Sequence, residues 1–312
     1  MITRASISLS IFAGSFLFLG YSANAQDSRS FRNSQQSVLR FLEIDADRPV
    51  FVSEEDRSEN FEYLGRWEAE LGSRLAWDSN PEQAPDSESD LIWQSEFSLG
   101  YQWWTDEKSG IVLTPSAKVA TEQFDEMPGL NQSLLGVGLA LELTETPIRP
   151  SLEYSATWLY DDGFSNHGET EQAFSLAFNE RLISAGASGG MELSGKLGPG
   201  YIWSSEPENR AVTAGGSLVL EIELTERIAL SAEGGVSYSH FHESASIGSE
   251  WLLSVSAEMT CKITDCLTLR AGGSYSKGNF GDPSLDYKQT TAYVALSLGL
   301  SDFPFLGLPP RH

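Results

Sequence analysis

The chain has 312 residues, with 44 Asp and Glu against 20 Lys and Arg, a formal charge of −24. That balance argues against a nucleic-acid partner, because such binding neutralises phosphates with Lys and Arg. Beyond the N-terminal leader no run approaches 18 consecutive apolar residues. Any crossing of a bilayer must therefore use strands closed into a barrel, the non-helical way to pair every backbone polar group in lipid.

Residues 1–25 read as a secretory signal: Arg4 supplies positive charge, Ile7 to Gly20 are mostly apolar, and Ala23-Asn24-Ala25 is a small-x-small site with cleavage expected after Ala25. A transmembrane helix is the alternative, but the apolar part is short of about 20 residues. It is also interrupted by Ser8, Ser10 and Ser15. Residues 26–62 are polar and irregular. They read as a periplasmic extension, with a lumen plug as the less favoured option.

A two-residue beat begins at Tyr63. Odd positions carry Tyr63, Gly65, Trp67, Ala69, Leu71, Ser73, Leu75 and Trp77, and even positions carry Arg66, Glu68, Glu70, Arg74 and Asp78. Strict alternation means a strand with one apolar and one polar face. Its length far exceeds the usual five or six residues of soluble sheets. Twelve such strands are predicted, at 63–78, 90–104, 110–124, 132–144, 148–161, 170–180, 189–204, 210–224, 227–241, 249–263, 266–277 and 287–302. The fold class is all-β: an antiparallel, up-and-down transmembrane β-barrel over residues 63–303, with a short tail at 304–312.

Connections alternate in length. Thr144 to Pro147, Thr225 to Arg227 and Thr264-Asp265 are tight, whereas Ser79 to Ser89, Asp161 to Glu169, His242 to Gly248 and Gly278 to Asp286 are longer. Short periplasmic turns and longer external loops characterise outer-membrane barrels. The connection at Arg181 to Ser188 is longer than that rule wants.

Aromatic residues on the apolar face collect at strand ends, as lipid–water interfaces favour. The outer girdle comprises Trp77, Trp93, Trp158, Tyr160, Tyr201, Trp203, Tyr238, Trp251 and Tyr275, and the inner one Tyr63, Trp67, Tyr101 and Trp103. On the opposite face parity places the acids Glu68, Glu70, Glu96, Glu122, Glu142, Glu153, Glu192, Glu221, Glu233 and Glu258. The bases on that face are Arg66, Arg74, Lys118, Arg149, Lys196, Lys262 and Arg270. These are the expected lumen-facing charges, and their acidic lean predicts a modest cation preference in any open pore.

The first hairpin adds a likeness. Leu71-Gly72-Ser73-Arg74-Leu75-Ala76-Trp77-Asp78-Ser79-Asn80-Pro81, followed by Ser89-Asp90-Leu91-Ile92-Trp93, resembles the opening hairpin of the β-barrel porin group of bacterial outer-membrane proteins. In that group an amphipathic strand ends in Asp-x-Asn before an acidic loop. The segment Tyr293 to Phe303 resembles the aromatic-ended signal read by the outer-membrane assembly machinery, although nine residues, Pro304 to His312, follow it. The resemblance implies outer-membrane lipid and that machinery as partners.

Sites of chemistry are sparse. Cys261 and Cys266 lack the further Cys or His of a four-ligand metal site. In an exported chain they form a candidate disulfide, with two unpaired thiols as the alternative. The histidines are His167, His240, His242 and His312. His240 and His242 with Ser239, Ser244 or Ser246, or His167 with Asp161 and Asp162, sketch a rim hydrolase but match no hydrolase motif. Glu82, Asp86, Glu88, Asp161, Asp162, Glu206 and Glu208 read as solvated loop acids or as ligands for divalent cations at the external surface. The Gly pairs, such as Gly189-Gly190 and Gly272-Gly273, fall within strands and have no phosphate-binding context, so no cofactor is expected. The sequence thus points to a porin-like passive channel for small solutes. A non-conducting structural or adhesion barrel and, less favoured, a rim hydrolase acting on lipid or peptide are the alternatives.

Overall fold

The computed structural model describes residues 65–82, 88–106, 110–144, 146, 148–185, 190–242 and 248–301. The leader, the 26–62 extension, Tyr63, Phe303 and the 304–312 tail lie outside them. Twelve strands follow in chain order: β1 (Gly65–Asp78), β2 (Asp90–Asp106), β3 (Ile111–Phe124), β4 (Gln132–Leu143), β5 (Arg149–Asp161), β6 (His167–Ala185), β7 (Met191–Ser204), β8 (Ala211–Thr225), β9 (Ile228–Phe241), β10 (Ser249–Lys262), β11 (Leu267–Phe280) and β12 (Tyr287–Ser301). Each pairs antiparallel with its sequence neighbours, and β1 pairs with β12 from Glu68↔Ser301 to Asp78↔Thr291, so the sheet is a closed barrel. Closure leaves no unpaired edge, which is how so apolar a sheet avoids adding further strands.

The alternation of the sequence becomes the two faces of the wall. Leu71, Leu75, Trp93, Leu197, Leu218, Leu253, Val255 and Val294 are exposed on the outside. The chain neighbours Ala76, Ile92, Val219 and Leu252 are buried inside. Exposure of so many large apolar side chains is the inverse of a soluble protein.

The two ends differ. Long connections follow β1, β3, β5, β7, β9 and β11, and four of them contain a single 3-10 turn, at Pro128–Leu130, Asp162–Phe164, Pro207–Asn209 and Pro283–Leu285. Gly163 adopts φ 65°, a left-handed conformation that favours glycine, inside the second of these turns. Short turns and both described chain ends lie at the other end. The β8–β9 turn is held by the Thr225 hydroxyl, which accepts from the Arg227 and Ile228 amides at 3.2 and 3.0 Å.

One segment departs from the sequence reading. The expected end of the sixth strand near residue 180, with an overlong connection after it, is replaced by the 19-residue strand β6 running to Ala185. A register shift between Arg181 and Ile183 explains the difference. The bulge leaves Leu182 and Ile183 both exposed, so the alternation breaks although the ladder continues.

Candidate functional site

The barrel interior is the candidate site, and its two halves are built differently. Toward the long-loop end the inward residues include Ile92, Phe124, Leu134, Leu159, Ile202, Phe241 and Leu252, all nearly inaccessible. Ile92 and Phe124 pack with Leu130 of the first 3-10 turn and with Met127, while Leu134, Leu159 and Ala120 form a second cluster.

Buried acids stand among these apolar groups, and the structure gives them specific work. Asp78 accepts from the Asn80 amide at 2.9 Å and from Gln289 Nε2 at 2.7 Å, while Asn80 Nδ2 donates to the Lys288 carbonyl at 3.0 Å. The Asp-x-Asn step that ends β1 therefore sews the first strand to the last. Asp90 accepts from the amides of Leu91, Glu126 and Met127 at 2.7 to 3.0 Å and so pins the β3–β4 loop over β2. Asn131 and Asp286 repeat one device after two of the turns, accepting from the amides of Phe124 and Phe280 at 2.8 Å each. Glu169 accepts from Ser204 Oγ and, at 2.9 Å, from Asn209 Nδ2, which also reaches Glu206 at 3.4 Å. Glu171, one turn of the pleat away, is 1% exposed, and neither carboxylate oxygen has a hydrogen-bond partner among the described residues.

Toward the short-turn end the inner wall is ionic. Lys118 Nζ lies 3.1 Å from Glu96, Arg270 lies 3.3 Å from Glu70, and Lys196 Nζ stands 3.8 Å from Glu153. Glu153 also accepts from Ser151 and Ser175 at 3.2 and 3.3 Å. Glu192 pairs with Arg181 at 2.9 Å. At the opposite, long-loop end Glu122 accepts from Gln132 at 2.6 Å and from Gln94, spanning β2, β3 and β4 two residues before Phe124. Near the seam the Arg74 guanidinium lies 3.9 Å over the Tyr293 ring, whose hydroxyl donates to Glu258. Tyr293, Gly272 and Glu258 are aligned across three strands. A Cβ on Gly272 would come within 2.8 Å of the Tyr293 hydroxyl oxygen, so the glycine lets the ring cross β11. The register puts Glu68, Glu142, Arg149, Glu221, Glu233 and Lys262 on this inner face too. The side chains of Arg66 and Trp67 lie outside the described set.

A cavity of about 200 Å³ opens between these groups, lined by Glu70, Arg74, Glu96, Glu233, Glu258 and Arg270 among others. It brings four of the sequence-derived acids together with two of the bases. Outside, Trp77, Trp93, Tyr201, Trp251 and Tyr275 are exposed near the long-loop end, as is Trp103 near the short-turn end. Trp158, Tyr160, Trp203 and Tyr238 are half-buried near the long-loop end, and Tyr101 near the other. Tyr238 packs on Trp251 at 5.0 Å and Tyr160 on His167 at 5.4 Å.

The other sequence candidates are scattered. His240 lies on the outer face with its ring 5.3 Å from that of His242, whereas Ser239 is buried on the inner face. The wall separates nucleophile from base. His167 Nε2 lies 2.9 Å from Thr170 Oγ1. Ser244, Ser246 and Asp86 lie outside the described residues. Cys261 and Cys266 are free thiols here, with the Cys266 sulfur 3.5 Å from Thr264 Oγ1. Among the described residues no three acidic, His or Cys side chains converge on a point where a metal ion would sit. Asp78 and Asp90 enter the sequence reading as parts of the first hairpin without a hydrogen-bonding role, and Glu169, Glu171 and Glu250 are left out of its lumen charges although each falls on the inward parity. Glu169 reads there as the end of a connection, whereas Glu171 and Glu250 sit within the predicted strands 170–180 and 249–263, where parity alone is the signal that could have found them.

No protein-family model matches the chain, and no curated protein matches it. Solved structures similar to it include an outer membrane channel from Pseudomonas putida F1, at 11% identity over 76% of this chain and 96% of that one, TM-score 0.47. The protein LpxR from Salmonella typhimurium is similar at 9% identity over 72% and 99%, TM-score 0.41. An anion-selective porin from Comamonas acidovorans is similar at 9% over 77% and 100%, TM-score 0.40. At such distances the likeness carries no activity from those proteins to this one.

Proposed function

We propose that the chain is an exported outer-membrane barrel, cleaved after Ala25, that passes small solutes passively and weakly prefers cations. The observation that carries this reading is the polar cavity inside the wall, where four carboxylates face two guanidinium groups. Charged side chains on an inner face, with an apolar band outside, are the arrangement of a wall between water and lipid. Among the described residues, exposed Trp77, Trp93 and Trp251 near one end and Trp103 near the other suit the two interfaces of that lipid. Twelve strands enclose a narrower lumen than the 16–18 of aqueous porins, so the expected conductance is small. In this reading the assembly machinery takes Phe303 as its signal, and the external loop acids face divalent cations of the cell surface.

A second reading, a non-conducting structural or adhesion barrel, is favoured by the nearly inaccessible Ile92, Phe124, Phe241 and Leu252 toward the long-loop end. Single-channel recording of the purified chain in a planar bilayer separates the two. Small, stable steps whose reversal potential follows the cation gradient support the channel. Silence from folded, inserted protein removes it and leaves the structural barrel. The rim hydrolase has the weaker case, because Ser239 and His240 point to opposite sides of the wall.

A further inference from the structure

The outer wall is not uniformly convex. Across β6 to β10 a depression of about 840 Å³ is cut into the apolar face. Gly195, Gly216 and Gly234 stand on three consecutive strands and lie beside its exposed apolar walls at Leu197, Leu218 and Val236. It reaches Val255 on β10 at one end and Ile148 and Glu180 at the other. The register defines that second end. Asn179 lies opposite Arg149, the first residue of β5, so Glu180 stands level with the β4–β5 turn, at the short-turn edge of the wall.

Glu180 is the anomaly. It pairs in register with Gly195 and therefore shares its outward side. It is exposed, and among the described residues no cation is paired with it. The next residue, Arg181, is engaged with Glu192 on the inner side at 2.9 Å. A carboxylate at the head of an apolar groove calls for a ligand with apolar chains and a positive head.

We propose that this groove holds one phospholipid of the periplasmic leaflet, its acyl chains along the glycine floor and a primary-ammonium headgroup of the ethanolamine type against Glu180. The proposal rests on the membrane reading above. Shape and charge both select this occupant. A second copy of the chain meeting it across a two-fold axis would set hollow against hollow and leave the space unfilled. An anionic lipid would bring like charge to Glu180, which costs rather than stabilises. Lipid tails already surround the wall, so what retains one chain is close van der Waals contact along the groove together with the headgroup pairing.

Two substitutions fill the groove without touching the interior. A Cβ on Gly234 meets nothing within 4 Å, and a Cβ on Gly195 meets Leu182 and Leu218 at ordinary contact distance, 3.5 Å each. The full chain, purified in mild detergent, is equilibrated with equal amounts of dioleoyl phosphatidylethanolamine, dioleoyl phosphatidylglycerol and lipopolysaccharide, then examined by native mass spectrometry. One retained phosphatidylethanolamine is expected. Gly234→Leu and Gly195→Leu should each lower its occupancy about tenfold, and Glu180→Gln should abolish the preference over phosphatidylglycerol while keeping a bound phospholipid. Retention of lipopolysaccharide, equal retention of both phospholipids by the unmodified chain, a dimer without lipid, or undiminished retention in both leucine variants each overturns the proposal. Heat-modifiable migration verifies that the variants remain folded. Flotation with phosphatidylcholine vesicles reports membrane insertion separately: a chain that inserts yet keeps no lipid refutes the groove alone, and one that stays in solution refutes the membrane reading beneath it.

Discussion

The long-loop half and the short-turn half of the barrel interior solve one problem, filling a cylinder lined by alternate residues, with opposite chemistry. The first uses buried apolar side chains and a few acids that accept backbone amides, as at Asp78, Asp90 and Asp286. The second uses ion pairs such as Lys118–Glu96 and Arg270–Glu70 around a polar cavity. Apolar contacts lose little when a neighbour shifts by a few tenths of an ångström. A buried charge loses much when its partner goes. The ionic half is therefore the more fragile to single substitutions, and the apolar half sets how narrow any path through the barrel is.

The largest expected effect breaks the ionic half. Lys118→Met removes a cation that is almost fully buried beside Glu96. It should cost about 3–5 kcal/mol of stability, read as a lower urea midpoint for loss of heat-modifiable migration. Adding Glu96→Leu should return most of that loss, since two apolar groups replace a pair rather than orphan one member. If the double variant is as unstable as the single, the ion pair is not what holds this half. Next comes Ile92→Ala in the other half, where the side chain is 0% exposed against Phe124 and Leu130. A cost of about 2–5 kcal/mol is expected from lost contacts and the cavity left behind. Planar-bilayer conductance should rise in the same variant if the apolar half is the constriction; unchanged conductance would place the constriction elsewhere.

How much of this could be read in the sequence follows from which interactions are local. Strand identity was legible at Trp77 and Asp78 because neighbouring residues face lipid-like and interior surroundings, and a period of two records that directly. The same rule obscured the end of β6, where the bulge at Arg181 to Ile183 turns two successive apolar residues outward. The charges of the inner face could be listed by parity, but their partners could not. Gln289 and Asp78 are 211 residues apart and meet because β12 closes on β1. Ile92 and Phe124 sit on the nominally polar face, so a reading that equates inside with polar passes over the apolar half. The Pro-x-Leu-Asn and Pro-Ser-Leu-Asp runs at Pro128 and Pro283 were visible signals for the capped loops, a repeat that only the hydrogen bonds of Asn131 and Asp286 make meaningful.

A smaller effect of opposite sign tests the exception within the apolar half. Glu171 lies fully buried with both carboxylate oxygens unpartnered among the described residues, between Thr157 on β5 and Ser204 on β7. Replacing it by a group of similar length that asks for no hydrogen bond, as in Glu171→Met, should stabilise the barrel by about 1–3 kcal/mol. The urea midpoint should rise; a fall would mean that the carboxyl is held by an interaction its surroundings conceal.

The smallest effect lies at the exposed side of the loop between β11 and β12, away from the interior. Asp282 is exposed and accepts from the Ser284 amide at 2.9 Å. The backbone hydrogen bond from Ser284, then that residue's side chain, hold the Asp282 carboxyl below the ordinary aspartate value against an opposing desolvation. A carboxyl whose pKa is lowered by folding contributes stability above its unfolded value, near 3.9, and loses that contribution as the pH falls through the folded value. Asp282→Ala should therefore lower the apparent Tm slightly at pH 7 and not at all once the pH lies below the folded value, so the two melting curves converge in acid. Ser284→Pro removes the donor amide and should reproduce the pattern. A gap between Asp282→Ala and the unmodified chain that persists or widens at low pH would assign the role of Asp282 to the turn's backbone conformation rather than to its charge.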